Sequence, residues 1–257
     1  MIQLSKETDE VRTSSAHECW CLHGAVGLAQ DWRATAKALA GEKIGTRAVD
    51  LWRFLECNPL PLADFGKVLN ADAQGRAARS IGRSLLGYSL GGRLALHALL
   101  ENPHPWSAAI IVSAHPGLES LEEQAARRAH DTEWASKALT APWQEFQSAW
   151  NAQPVLRNSL QRDPQAVGQF LMRRREIARS FVDWSLGSQT PLWSRLKEID
   201  IPVLWIAGER DEKFLALAEK AVSSLPNGHL SIAPGAGHRV PWEAPVWFHE
   251  TVAGFLR

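Results

Sequence analysis

The sequence has few cysteines, no excess charge of either sign and no long apolar run. Its 257 residues include 3 cysteines, and the 28 basic side chains balance the 28 acidic ones, so that the formal net charge is zero. A chain of zero net charge gives no electrostatic reason to expect binding to nucleic acid or to an anionic membrane surface. No stretch reaches the roughly 20 apolar residues that a membrane span requires. The length and the balanced charges suit one soluble α/β domain that carries an insertion.

The cysteines predict neither a disulfide nor a metal centre. Cys19 and Cys21 lie two residues apart on one face of a predicted strand, which is a poor geometry for a disulfide. No arrangement of cysteine with histidine in the sequence indicates a metal site, so reduced thiols in a cytoplasmic protein are expected. Residues 1–7 include the acidic Glu7 and no apolar segment, and we therefore expect no secretory signal.

A pattern typical of a catalytic serine lies in the first half of the chain. Residues 84–97 read Ser-Leu-Leu-Gly-Tyr-Ser-Leu-Gly-Gly-Arg-Leu-Ala-Leu-His and contain a G-x-S-x-G pattern centred on Ser89. In a nucleophile elbow, a sharp turn between a strand and a helix exposes the serine hydroxyl, and the glycines allow the close approach of these two elements. The apolar residues before the pattern predict the strand, and the amphipathic stretch 90–100 predicts the helix.

Two partners for Ser89 follow in the order that α/β-hydrolases use. A buried-strand pattern at 202–208 is followed by Asp211, and a short strand pattern at 230–232 is followed by His238. The order serine, aspartate, histidine, with the acid and the base on loops after late strands, is that of α/β-hydrolase triads. The sequence therefore predicts a catalytic triad.

An early strand predicts the remaining part of such a site. Residues 19–22 are apolar and are followed by His23, Gly24 and Ala25. In this fold one oxyanion donor is the backbone N–H of the residue after the serine, here Leu90, and the second comes from the loop after an early strand, here Ala25. We interpret His23 as a structural residue that holds this loop.

Strand and helix patterns alternate along most of the chain. The alternation predicts an α/β-hydrolase fold with a mostly parallel central sheet and helices on both faces. Further strands are predicted at 46–50 and 108–112, and further helices at 31–40, 63–83 and 242–257. Residues 116–189 are rich in arginine, glutamate, glutamine and tryptophan and carry no strand pattern. We expect a core of residues 1–115 and 190–257, with a helical cap of residues 116–189 inserted over the active site.

Several blocks of the sequence resemble one family within this fold, the 2-succinyl-6-hydroxy-2,4-cyclohexadiene-1-carboxylate synthases of menaquinone biosynthesis. Three of the blocks are the elbow at 87–96, the acid loop at 208–214 and the histidine loop at 236–238. The fourth is the cap entry, His115-Pro116-Gly117-Leu118. It continues through Glu122, Glu123, Arg127 and Asp131 to Trp134 and Ala135. They are spread between residues 22 and 245, so the resemblance spans the chain.

The resemblance implies a polycarboxylate substrate that is held by arginines, whose planar guanidinium groups match carboxylates bidentately. Arg93 follows Ser89 by one helical turn and is expected to face the site. Matched block by block, the cap arginines of the family correspond to Arg127 and Arg173, its pocket tryptophan to Trp150 and its elbow tyrosine to Tyr88. The run 173–175 leaves open which arginine faces the pocket, and Arg173 is our choice.

The implied reaction is an elimination of pyruvate that requires no metal and no organic cofactor. Ser89, activated by His238 and Asp211, is expected to act as the base. An alternative is hydrolysis of an ester, a thioester or a C–C bond by the same triad. A second alternative is a non-catalytic receptor of this fold, which predicts a degraded triad. Pocket arginines favour a polyanionic substrate over a lipid-like ester.

One loop departs from the pattern of the family. After residues 49–51 the family continues with a turn of the Pro-Gly-His-Gly type, whereas this chain reads Trp52-Arg53-Phe54. The loop borders the pocket in this fold. Two interpretations are open, a further carboxylate contact from Arg53 or a different substrate.

Overall fold

The structure is a computed structural model that describes residues 17–76, 82–156 and 167–257. Within these ranges, six strands form one sheet in the order β2-β1-β3-β4-β5-β6, and every neighbouring pair is parallel. The strands are β1 His17–Leu22, β2 Ile44–Val49, β3 Gly82–Tyr88, β4 Ala108–Val112, β5 Val203–Gly208 and β6 Gly228–Ala233. The predicted α/β-hydrolase fold with a parallel central sheet is confirmed.

The helices fall into two groups. Those that pack on the sheet are α1 Arg33–Gly41, α2 Leu62–Gly75, α3 Leu90–Leu99, α8 Glu212–Val222, α9 Val240–Glu243 and α10 Pro245–Leu256. Those that lie between β4 and β5 in the chain are α4 Leu121–Thr140, α5 Trp143–Asn151, α6 Val167–Met172 and α7 Arg174–Asp183. None of the helices in the described ranges is long and apolar enough to cross a membrane.

The alternation of side chains along the strands divides the core into two layers. Trp20 and Leu22 of β1 belong to the layer that contains α2, α3 and α8. Cys19 and Cys21 belong to the opposite layer, which contains residues of α1 and α10. Because helices cover both faces of the sheet, most residues of β1, β3, β4 and β5 are buried, whereas most residues of the edge strands β2 and β6 are partly exposed. The exits of the strands are therefore where polar side chains can collect around a ligand.

Two predicted helices have different bounds in the structure. The helix expected at 242–257 is broken into α9 and α10 at Ala244, whose backbone angles are φ −131° and ψ 57°. Ala244 precedes Pro245, and the proline ring disfavours the helical conformation of the residue before it. The helix expected at 63–83 ends at Gly75, and Arg83 lies in β3. Residues 77–81, which this prediction also covered, lie outside the described residues.

The helices between β4 and β5 cover the carboxyl ends of the strands. α4 packs against α7, and α7 contacts the 3-10 turn Leu51–Leu55 that follows β2. Side chains from α4, α5 and α7 share one cavity with residues at the ends of β1, β3 and β4. The division of the chain into a core and a cap at residues 116–189 stays a prediction.

Candidate active site

Ser89 lies in the sharp turn between β3 and α3. Its backbone angles are φ 52° and ψ −111°, a conformation that residues with a side chain rarely adopt. The turn depends on the two glycines of the motif. A Cβ on Gly87 would lie 2.3 Å from the carbonyl oxygen of Gly91, and one on Gly91 would lie 2.2 Å from that of Leu22. Only glycine therefore allows strand and helix to approach closely enough to expose the serine.

Ser89, His238 and Asp211 form a continuous hydrogen-bonded chain. His238 Nδ1 lies 2.7 Å from Asp211 Oδ2, and its Nε2 lies 3.2 Å from Ser89 Oγ. Asp211 follows β5, and His238 lies in the loop between β6 and α9. Because a carboxylate accepts the proton on Nδ1, the Nε2 atom is left to take a proton from the serine. The structure brings the three side chains together, and their catalytic role stays a prediction.

Aromatic rings fix the orientation of the His238 imidazole. The ring of Phe214 lies 4.4 Å from it, and that of Tyr88 lies 5.6 Å from it, measured between ring centroids. Trp242 in turn packs edge-on against Tyr88 at 5.0 Å. Tyr88 was expected from the sequence to be a pocket residue. Phe214 was not, although it follows Asp211 by three residues.

A cavity of about 210 Å³ lies over Ser89 and His238. The predicted site residues that line it are Ala25, Tyr88, Ser89, Leu90, Arg93, Arg127, Trp150 and His238. Asp211 lies on the far side of His238, where it lines a smaller cavity of about 130 Å³. Most of the residues proposed from the sequence therefore share one space. Groups of three or more histidine, cysteine, aspartate or glutamate side chains that could hold a metal ion do not occur in the ranges described.

The two predicted oxyanion donors flank the serine. Leu90 is the first residue of α3, and the N–H groups of a first helical turn have no acceptor within their own helix. Ala25 lies in the turn after β1 and also lines the cavity. His23 ties this turn down, since its Nδ1 lies 2.9 Å from Gly24 O and its Nε2 accepts from the N–H of Leu51 at 3.2 Å. These bonds agree with the interpretation of His23 as structural.

Arg93 is buried at the cavity with its positive charge unmatched. Its Nε donates to Gln189 Oε1 at 2.7 Å and its Nη2 to Trp184 O at 2.7 Å, and both acceptors are neutral. Burial, together with the neighbouring Arg127 cation, lowers the pKa of Arg93 to about 9, although Asp131 opposes the shift. Within the described part of the chain no carboxylate forms an ion pair with Arg93. The neutral acceptors fix the guanidinium and leave its charge available to a ligand.

Arg127 is oriented by a carboxylate on its own helix. Its Nε donates to Asp131 Oδ1 at 2.8 Å, and Asp131 is almost fully buried. The second oxygen of Asp131 accepts from the hydroxyl of Ser185 at 2.8 Å. Asp131 therefore joins α4 to the segment after α7 and sets the direction of Arg127.

The structure does not bring Arg173 to the cavity. Its guanidinium donates to Asp50 Oδ2 at 2.5 Å and to Glu56, and Arg173 is not among the residues that line the cavity. The neighbouring Arg174 donates to the carbonyl groups of Ala138 and Ala141. Two carboxylates after β2 satisfy the charge of Arg173, so its choice as a pocket residue is not supported by its geometry.

The loop that departs from the family pattern fills the core and leaves the cavity to other residues. Trp52 is fully buried, and its indole N–H donates to Gly27 O at 2.7 Å. The guanidinium of Arg53 lies 4.6 Å from the centroid of the Phe54 ring and pairs with Asp72. Arg53 does not line the cavity, because its guanidinium packs on Phe54 and pairs with Asp72, so this geometry does not support its interpretation as a substrate contact.

Several cavity residues were missed by the sequence analysis. Lys213 and Arg239 each lie within two residues of a triad member and add positive charge to the lining. Their position next to Asp211 and His238 was the available signal. His115 also lines the cavity, and burial together with Lys213 lowers its pKa to about 4. Ser113 at the end of β4 has a φ of 48° and a buried hydroxyl with no hydrogen-bond partner among the described residues.

The fold and the order of the site residues match one known family model. Residues 21–251 match the model of the alpha/beta hydrolase family. Among solved structures, that of MenH from S. aureus superposes with a TM-score of 0.81 at 24% sequence identity and covers 96% of both chains. At this level of identity the superposition shows a common fold.

Curated relatives share more of the sequence. The 2-succinyl-6-hydroxy-2,4-cyclohexadiene-1-carboxylate synthase of Pectobacterium atrosepticum is 32% identical over 240 residues, which are 92% of each chain. A Bacillus subtilis protein that is provisionally named for the same activity is 37% identical over 178 residues, which are 67% of this chain and 65% of that protein. The chain therefore belongs to the alpha/beta hydrolase family and, within it, to the family of the 2-succinyl-6-hydroxy-2,4-cyclohexadiene-1-carboxylate synthases.

Proposed function

We propose that the protein eliminates pyruvate from 2-succinyl-5-enolpyruvyl-6-hydroxy-3-cyclohexene-1-carboxylate and so forms 2-succinyl-6-hydroxy-2,4-cyclohexadiene-1-carboxylate in menaquinone biosynthesis. The names of the curated relatives support this reaction. The observation that carries it is the buried, unmatched charge of Arg93 in the same cavity as Ser89. A charge that is buried without a counter-ion is costly, and a substrate carboxylate would supply that counter-ion.

The proton transfer begins at Ser89. Its Oγ removes the ring proton beside the succinyl ketone while His238 Nε2 takes the hydroxyl proton, and Asp211 stabilises the imidazolium. The electron pair of the broken C–H bond forms the enolate of the ketone. It then moves through the ring alkene and breaks the C–O bond to the enolpyruvyl group. The released pyruvate enolate takes up one proton, so atoms and charge balance. No covalent bond to Ser89 is formed.

The developing enolate oxygen requires donors that are already in place. The backbone N–H groups of Ala25 and Leu90 are proposed to bind it, since both residues flank Ser89 at the cavity. Donors that are fixed before the reaction stabilise the charge without further reorganisation. This step of the proposal applies to an enolate as well as to a tetrahedral intermediate, so the donors alone do not separate elimination from hydrolysis.

The carboxylates of the substrate are proposed to meet the cationic side of the cavity. Arg93 and Arg127 are candidate partners, and Lys213 and Arg239 add further positive charge to the lining. Trp150 and Tyr88 are candidate apolar contacts for the ring. The helices between β4 and β5 act as the cap in this proposal. The cations of the lining support a small polycarboxylate substrate, and the zero net charge supports the expected absence of nucleic-acid and membrane partners. The expected reduced thiols support a cytoplasmic location.

The test is release of pyruvate by the purified protein from the enolpyruvyl substrate, followed with a coupled lactate dehydrogenase assay. We expect one pyruvate per turnover, with the rate unchanged by EDTA. Ser89→Ala should lower kcat by on the order of 10³-fold or more. The exposed Ser223, which donates only to Lys220 O, provides the matched control Ser223→Ala.

A hydrolase with the same triad predicts the opposite pattern. It would hydrolyse p-nitrophenyl esters rapidly, with a burst of acyl-enzyme, and would release no pyruvate. That combination would overturn the proposed elimination while leaving the triad assignment in place.

A further inference from the structure

The loop that carries His238 is held by one carboxylate on both sides of that residue. Glu243 Oε2 accepts from the backbone N–H of Gly237 at 2.7 Å, and Glu243 Oε1 accepts from that of Arg239 at 3.0 Å. The two amides that flank His238 in the chain are therefore bound by the two oxygens of a single side chain. Bonds to a charged acceptor are stronger than those between neutral groups.

Backbone hydrogen bonds hold the start of this loop, from Ala236 N–H to Ala233 O at 3.3 Å and from Arg210 N–H to Ala236 O at 2.8 Å, and both lie before Gly237. Gly235 has a φ of 63°, and Gly237 is the residue directly before His238. A Cβ on Gly237 would lie 3.1 Å from Glu243 Oε2, so the glycine allows the carboxylate to approach the backbone. Glycines leave a loop many accessible conformations. The contact with Glu243 consequently fixes the two backbone N–H groups on either side of His238.

A second glutamate holds the same loop in a different way. Glu209 Oε2 accepts from the N–H of Gly235 at 2.7 Å, which is three residues before His238. Both glutamates contribute a charged hydrogen bond to one loop, and only Glu243 binds the amides next to His238. Substitutions at Glu209 and at Glu243 can therefore distinguish a general loss of loop stability from a loss of the placement of His238.

We propose that Glu243 is a positioning residue that holds His238 at the distance from Ser89 and Asp211 that proton transfer requires. The inference rests on the proposed function of the triad. The imidazole makes two hydrogen bonds, to Asp211 at 2.7 Å and to Ser89 at 3.2 Å, and these partners follow different strands. A backbone shift at residue 238 would lengthen at least one of the two bonds. A misplacement of about 1 Å can lower a rate by roughly 10²-fold.

The alternative is that Glu243 only caps the single turn of α9, whose first N–H groups need acceptors. A cap contributes to stability and has no effect on the placement of a reacting group. A positioning role therefore predicts a lower kcat at constant KM when Glu243 is replaced, and a purely capping role predicts an unchanged kcat. Glu243→Gln keeps one accepting oxygen and turns an N–H₂ group toward an N–H donor, whereas Glu243→Ala removes both acceptors.

The experiment compares Glu243→Gln and Glu243→Ala with Glu209→Gln and Glu209→Ala in the pyruvate-release assay. We expect kcat to fall about 10-fold in Glu243→Gln and up to roughly 100-fold in Glu243→Ala, with KM within twofold of the wild type. The Glu209 variants should lower Tm by no more than the Glu243 variants do and should keep kcat. An unchanged kcat in both Glu243 variants, or an equal loss in the Glu209 variants, would refute the positioning role. If Glu243→Ala does not fold, Glu243→Gln decides.

A second measurement separates failure of this inference from failure of the proposed function. A fluorophosphonate probe forms a bond to Ser89 Oγ with loss of fluoride and of the serine proton, and it requires His238 in place but not the natural substrate. We expect the labelling rate to fall in the Glu243 variants and to stay at the wild-type value in the Glu209 variants. If the wild type releases no pyruvate, the elimination is wrong, and the order of these labelling rates still decides on Glu243.

Discussion

At the scale of single residues, Arg93 and Arg173 show why two arginines predicted for one task differ in the structure. The hydrogen bonds of Arg93 go to the neutral side chain of Gln189 and the carbonyl group of Trp184, whereas Arg173 forms ion pairs with the carboxylates of Asp50 and Glu56. An ion pair within the protein reduces the attraction that the same guanidinium can offer to a ligand. The availability of charge, and not the residue type alone, identifies a binding arginine.

We therefore expect Arg93→Ala to raise KM strongly and Arg173→Ala to raise it much less. Loss of a hydrogen bond to a charged group costs about 1.5–3 kcal/mol, so KM should increase roughly 10- to 100-fold in Arg93→Ala. Initial-rate kinetics of pyruvate release measure both variants side by side. Equal effects of the two changes would show that the ion pairs of Arg173 break when the substrate binds.

At the scale of secondary-structure elements, the sequence predicted the site residues whose position follows from a local strand pattern. Ser89, Asp211 and His238 were found because each follows a strand, and the ends of parallel strands meet at one edge of a sheet. The partners of Arg173 could not be found in this way, since they lie 123 and 117 residues away in the sequence. Gln189, which fixes Arg93 across 96 residues, was missed for the same reason.

The same elements give a test of how α4 is fixed. Asp131→Asn keeps the shape of the side chain but removes its negative charge. The carboxylate of Asp131 pairs with Arg127 and accepts a hydrogen bond from the hydroxyl of Ser185. We expect the substitution to lower the free energy of unfolding by about 1–3 kcal/mol and to raise KM, because Arg127 loses its orientation. Urea unfolding and initial rates provide the two values.

Ser185→Ala is the matched control for this change. It removes one hydrogen bond from the same carboxylate and leaves the pair of Asp131 and Arg127 intact. Stability should fall and KM should change little. A KM effect as large as that of Asp131→Asn would mean that the packing of α4, and not the direction of Arg127, determines substrate binding.

At the scale of the whole molecule, two buried histidines make the fold sensitive to acid. Burial lowers the pKa of His97 to about 3, with Arg93 and Arg195 adding to the shift, and burial lowers that of His115 to about 4. His115 Nδ1 also accepts from the N–H of Gly117, which requires the neutral ring. Below pH 6.5 the unfolded chain binds protons that the folded chain does not bind. The folded state therefore loses stability as the pH falls from about 6.5 toward 4.

We expect each histidine to contribute a slope of up to about 1.4 kcal/mol per pH unit in this range. His97→Gln should reduce the slope, since it removes a group that the unfolded state protonates first. The free energy of unfolding in urea at pH 6.5 and at pH 5 measures this effect. The exposed His229 gives the control His229→Gln, and an unaltered slope in His97→Gln would contradict the assignment.

The unmatched charge of Arg93 also links the supply of substrate to the lifetime of the protein. A ligand that binds only the folded state stabilises it by about 2.7 kcal/mol at 100 times its dissociation constant. A tricarboxylate analogue should accordingly raise Tm in the wild type and much less in Arg93→Ala, as a thermal-shift titration would show. We therefore expect the protein to resist unfolding and proteolysis best while this site is occupied.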